Sequence, residues 1–114
     1  MATIKSFTSL EQSKVLAKIL PIESADMCYN DGELRIGYAP LAKERDDYFP
    51  CWSLAALLYA LPFPQLSKDN LGSGRIGWMV SAYPDNCRYD SCWHDNPIDA
   101  CYELTLKLHE LKLL

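Results

Sequence analysis

A chain of 114 residues with 49% hydrophobic and 23% charged side chains is long enough for one core and too apolar to stay disordered. Its formal net charge is -4, and Lys and Arg never cluster beyond near neighbours such as Lys43 and Arg45, so the cationic footprint of a nucleic-acid binder is missing and that partner is disfavoured. No stretch approaches the ~20 apolar residues of a membrane helix, and Met1 to Ser6 has no apolar signal core.

The expectation is therefore a soluble, cytoplasmic protein with no membrane contact, one domain over residues 1–114. Its five cysteines (Cys28, Cys51, Cys87, Cys92 and Cys101) are odd in number and irregularly spaced. In a reducing compartment they read as small buried hydrophobes.

The first helix is expected from Thr8. Thr8-Ser9-Leu10-Glu11 fits a capping box, with Thr8 accepting from the Glu11 amide. Leu10, Leu16, Ala17 and Leu20 share one side, Val15 and Ile19 widen it, and Lys14 and Lys18 face out. Pro21 ends the element, because the residue before proline avoids the helical region. A hairpin follows, with Met27-Cys28-Tyr29, a turn at Asn30-Asp31-Gly32, and Glu33 to Tyr38 alternating so that Leu34, Ile36 and Tyr38 share a face. The charged segment from Pro40 to Pro50 reads as a solvated connection.

Cys51-Trp52-Ser53 opens an apolar run that Pro62 stops. It predicts a helix from Leu54 to Leu61, capped by Ser53 and stapled by Trp52 against Leu57. A helix apolar nearly all round is expected to be buried on most sides. Ser67 to Gly74 reads as a mobile loop rich in polar residues and glycine. A second hairpin is expected next. Ile76, Trp78, Val80 and Ala82 alternate with Gly77, Met79, Ser81 and Tyr83, Pro84-Asp85-Asn86 turns, and Cys87 to Trp93 returns with Cys87, Tyr89 and Trp93 on one face.

The last helix carries the clearest signals. Asn96 caps it, Pro97 takes the first helical position, and Asp99 places negative charge in the first turn. Ile98, Cys101, Leu104, Leu108 and Leu111 form a buried seam. Asp99, Glu103, Lys107 and Glu110 form a wet stripe, with Glu103 and Lys107 spaced as an ion pair. Tyr102, Leu106 and Leu113 make a second apolar edge, the candidate contact surface. The whole reads as a two-layer α+β domain in the order α-β-β-α-β-β-α.

Three blocks carry a resemblance. They are Leu10-Glu11-Gln12-Ser13-Lys14 through Leu20-Pro21-Ile22-Glu23-Ser24-Ala25-Asp26-Met27, Trp52-Ser53-Leu54-Ala55-Ala56-Leu57-Leu58, and His94-Asp95-Asn96-Pro97-Ile98-Asp99-Ala100-Cys101-Tyr102-Glu103 through Leu108-His109-Glu110-Leu111. Together they resemble a family of small proteins carried by phages and mobile elements of Bacteroides-type gut bacteria. That family has no assigned activity, cofactor or catalytic residue, so the resemblance implies context alone: a soluble accessory protein inside a bacterial cell. The family's middle block is built on Trp-Ser-Leu, not on a preceding cysteine, which counts against Cys51 as a nucleophile.

Two chemistries deserve weighing. Cys51 before a helix N-terminus, with His94 as base and Asp95 or Asn96 as orienter, has the chain order of a papain-like hydrolase. Against it, Asp47-Tyr48-Phe49-Pro50 stands where such enzymes carry a Gly- and Gln-containing segment, and Asn96 is better used as a cap. Cys87, Cys92 and His94 lack a standard zinc spacing, and on a strand Cys87 and Cys92 point to opposite faces. The aromatic set Trp52, Trp78, Trp93, Tyr89 and Tyr102 fits core packing better than a pocket. Asp46, Asp47, Asp90 and Asp95 read as solvated acids, and Gly72-Ser73-Gly74 lacks the lysine and helix of a phosphate loop. The reading is thus a non-enzymatic protein-interaction module with no metal or cofactor, a second copy of the chain being one candidate partner. The alternative is a cysteine hydrolase using Cys51 and His94.

Overall fold

The computed structural model describes residues 5–30, 33–36 and 48–114. The elements are α1 (Leu10–Leu16), a 3-10 turn (Ile22–Ser24), β1 (Met27–Asn30), β2 (Glu33–Ile36), β3 (Tyr48–Cys51), α2 (Leu54–Ala60), β4 (Gln65–Gly72), β5 (Arg75–Ala82), β6 (Tyr89–Asp90) and α3 (Pro97–Glu110). They build two antiparallel three-stranded sheets, one ordered β2-β1-β3 and the other β4-β5-β6. This is the expected α+β class, with one more strand in each sheet than the sequence suggested.

α1 starts one residue later than expected. Ser9, not Thr8, is the cap: its hydroxyl accepts from the Gln12 amide at 3.1 Å and the Gln12 side chain accepts from the Ser9 amide at 3.0 Å. Neighbouring hydroxyls and neighbouring Glu and Gln made the two registers equivalent in the sequence. Thr8 is drawn away because its side chain serves the Cys51–Trp52 corner. α1 closes at Leu16, and tighter bonds such as Ile19 N to Leu16 O carry the chain on to Leu20. Leu16 and Leu20 are buried as expected, whereas Ala17 and Val15 face outward.

The first hairpin pairs Cys28 with Arg35 and Tyr29 with Leu34. Tyr38 and residues 37–47, including Asp46 and Asp47, lie outside the described residues. The end of the expected connection is strand: β3 pairs with β1, Cys28 opposite Pro50. Pro50 hid it, but β3 is an edge strand, where a missing N–H on the outer side costs no ladder bond.

Ser53 caps α2 as expected, accepting from the Ala56 amide. Trp52 and Leu57 are both fully buried in one cluster. The helix is not buried on most sides, however. Of its seven residues only Leu57 is fully buried, because α2 lies against α3 on one flank alone.

The segment expected as a mobile loop is most of β4. Its polar residues 67–70 gave no alternation because β4 is an exposed edge, and Leu66 alone packs against the core cluster. Gly72, Ser73 and Gly74 all take positive φ (94°, 52° and 77°), so the glycines make a tight turn into β5. β5 is the buried centre of its sheet, and α3 packs across it.

The returning strand is broken. Tyr89 pairs with Ala82, Ser91 donates its amide to Val80 O at 2.9 Å, and His94 bridges Trp78. Cys92 and Trp93 therefore stand against Met79 alone, a two-for-one bulge. The bulge reverses the expected side: Tyr89 packs toward the core, while Trp93 lies over Gly77.

α3 has the expected caps, with Asn96 Oδ1 accepting from the Asp99 amide at 2.9 Å and Pro97 at its start. Ile98, Cys101, Leu104 and Leu108 are wholly buried, each apolar side chain of this size contributing about 1.5–3 kcal/mol. Leu111 falls past the helix end and is half exposed, not part of the seam.

Candidate functional site

Cys51 sits at the end of β3 with no exposed surface. Its Sγ is 3.4 Å from Thr8 O and 3.5 Å from Thr8 Oγ1. Thr8 Oγ1 is also 2.8 Å from Ser13 Oγ and accepts from the Trp52 amide at 3.2 Å. Tyr29 donates to Thr8 O at 2.8 Å. Burial pushes the Cys51 thiol up, and the hydrogen bonds from Thr8, Ser13 and Tyr29 only partly offset it. Burial, followed by the nearby sulfur, likewise lifts the Tyr29 phenol to about 12. The group is a neutral thiol packed in a polar nest. Reactive cysteines are partly exposed thiolates in electropositive surroundings, the opposite condition.

His94 belongs to the other sheet. Its backbone bonds Trp78 in both directions, at 2.8 and 2.7 Å. Its Nε2 is 3.3 Å from Glu103 Oε1, an ion-pair distance without the alignment of a hydrogen bond. Among the described residues the partners of Cys51 are Thr8, Ser13 and Tyr29, and those of His94 are Trp78 and Glu103, so the two side chains share no partner. Asn96 is spent as the α3 cap, and Asp95 pairs with Arg75 at the surface at 3.5 Å.

Glu103, assigned by sequence to a wet stripe and a pair with Lys107, has a different task. Its Oε2 accepts the Cys92 amide at 2.6 Å, the N–H that the bulge sets apart from the strand ladder. Burial alone raises this carboxyl, but the Cys92 amide and His94 outweigh it and hold it below its ordinary value. Lys107 instead reaches Asp90 O at 3.3 Å. Asp90, in turn, accepts from Ser81 at 2.6 Å and Arg88 at 2.7 Å, which lower its carboxyl.

Cys87 and Cys92 are both exposed. Among the described residues no group of three or more His, Cys, Asp or Glu side chains is placed to hold a metal ion. The aromatic set is divided. Trp52 is in the core with its indole N–H on Ser24 Oγ, Tyr89 and Tyr102 pack against the core, Trp78 lies under Lys68 at 5.2 Å, and Trp93 is 41% exposed.

Of the candidate contact surface, Tyr102 and Leu113 are half-buried against the core cluster. Leu106 lines an open groove of about 420 Å³ along α3, together with Ile19, Glu103, Lys107, His109 and Glu110. Among the described residues the most exposed large apolar side chains lie elsewhere. Tyr59, at the end of α2, is 91% exposed, and Phe63, in the turn after it, is 80% exposed. Phe63 holds φ at +49°, a conformation uncommon for a bulky side chain. Tyr83 N donates to Pro62 O at 2.9 Å and ties this turn to the end of β5. One signal of this corner is present in the chain, Phe63 between Pro62 and Pro64, and the helix stop at Pro62 obscures it.

No family model, curated protein or solved structure matches the chain. Among the described residues no helix is long and apolar enough to cross a membrane.

Proposed function

We propose that this chain is a non-enzymatic protein-interaction module acting inside a bacterial cell as an accessory protein of a phage or mobile element. The context rests on the resemblance of its three sequence blocks. The mode rests on the corner formed by Tyr59 and Phe63. Tyr59 at the end of α2 and Phe63 on the proline-bounded turn after it, 91% and 80% exposed, supply the large, rigid side chains that anchor protein interfaces. The apolar edge of Tyr102, Leu106 and Leu113 is a second, flatter surface whose floor is already half committed to the core. Cys51 and His94 are the weaker reading, since one is sealed with its thiol pushed up and the other is engaged by Glu103.

A photo-crosslinking side chain at position 63, with position 69 on the exposed β4 edge as control, tests the proposal in bacterial cells. The expected result is a discrete protein adduct at 63, at the mass of a dimer if the partner is a second copy, and none at 69. Equal or absent crosslinking at the two positions overturns it.

A further inference from the structure

We infer that Lys5 to Ser9 is a strap that opens without unfolding the core, and that its opening uncovers Cys51. The strap lies along the Trp52–Leu54 corner as a short antiparallel ladder. Leu54 N donates to Ser6 O at 3.1 Å, Thr8 N donates to Trp52 O at 2.9 Å, and Phe7 bridges Ser53. At its outer end Lys5 reaches Gln12 at 2.6 Å and Asp99 at 3.1 Å, both in part-exposed surroundings. A single strap side chain, Thr8, is wholly buried.

Both oxygens of Thr8 lie against the sulfur, so lifting five residues removes that side of its cover and leaves Ser13 and Tyr29 as its remaining polar neighbours. Cys101 is equally buried, but it sits in α3 among Ile98, Leu104 and Leu108, and reaching it means dismantling the core. Segments held by few buried apolar contacts open at lower free energy than the core they cover. What this opening exposes is chemically defined: one thiol, plus the Trp52 carbonyl and Leu54 amide at the β3–α2 junction, two groups that another extended chain can pair with.

The test labels the wild-type protein with iodoacetamide at mildly alkaline pH in denaturant concentrations below the unfolding transition, reading each cysteine by mass spectrometry. Cys87 and Cys92 react first. The Cys51 rate is expected to change less than about twofold across a range in which the Cys101 rate rises about tenfold or more, because sub-global opening exposes little surface. Amide exchange at Thr8 and Leu54 is expected to share the flat dependence of Cys51. Parallel slopes for Cys51 and Cys101, or a Cys51 that labels no sooner than Cys101, overturn the inference.

Discussion

Glu103 shows how a single side chain changes meaning once the backbone around it is known. In sequence it is one acid in a charged stripe four residues before a lysine. In the fold it completes the hydrogen bonding of a bulge, a task that only the two-for-one mismatch at Cys92 and Trp93 creates. No local pattern announces that mismatch, which is why the role stayed hidden while the caps at Ser53 and Asn96 did not. Its titration has a definite sign. The folded carboxyl lies below its ordinary value of 4.5, so its contribution is complete above about that pH and is lost as pH falls through the lower folded value. Glu103→Gln keeps an acceptor for the Cys92 amide and removes the charge. It is expected to cost about 1 kcal/mol at pH 7, less at pH 3, and to flatten the acid limb of urea-melt stability against pH. An unchanged acid limb counts against the assignment. Thr8 gives a similar lesson, since its hydroxyl was assigned to a helix cap and is used 43 residues away at Cys51.

Among the elements, α3 was legible because every signal agreed: cap, proline, acidic first turn and a 3-4 apolar seam that the structure buries through Leu108. β4 was illegible for the converse reason. An edge strand exposed along most of its length has no need to alternate, and its residues at 67–70 looked like a loop. That edge is well protected. Side chains of Asp69 and Asn70 accept the amides of Asn70 and Gly72, and the ladder is bulged there. β5 carries a more exacting position at Gly77. A Cβ there would stand 2.6 Å from Leu71 Cδ1 and 3.1 Å from Trp93 Cε3, so the missing side chain is what lets those two meet above the strand. Gly77→Ala is expected to push Leu71 outward, cost about 1–2 kcal/mol in chemical denaturation, and move the Trp93 indole signal in NMR spectra. Trp52 and Trp78 signals should stay in place.

At the scale of the whole molecule the charges are spent locally. Lys5 pairs with Asp99, Arg75 with Asp95 and Arg88 with Asp90, leaving no single-sign field among these described groups. The distinctive surface is instead uncharged. The α+β class was readable from periodicity, whereas the corner at Tyr59 and Phe63 was not, because a helix stop and a presented side chain use the same residues, Pro62 and Pro64. Replacing both aromatics by serine is expected to leave the thermal midpoint within about 2 °C, since neither side chain supports the core. A large fall in that midpoint would mean that the corner is structural.

The backbone at Phe63 carries one further implication, about selection instead of geometry. Left-handed backbone at φ +49° suits glycine or asparagine, and a phenylalanine there forgoes free energy that either would recover. Phe63→Gly is therefore expected to raise the midpoint of thermal unfolding slightly while weakening crosslinking from a photo-reactive side chain placed at position 59. A chain shaped for durability alone has no reason to keep the aromatic, so under the proposed interaction role position 63 is where robustness is traded for a contact.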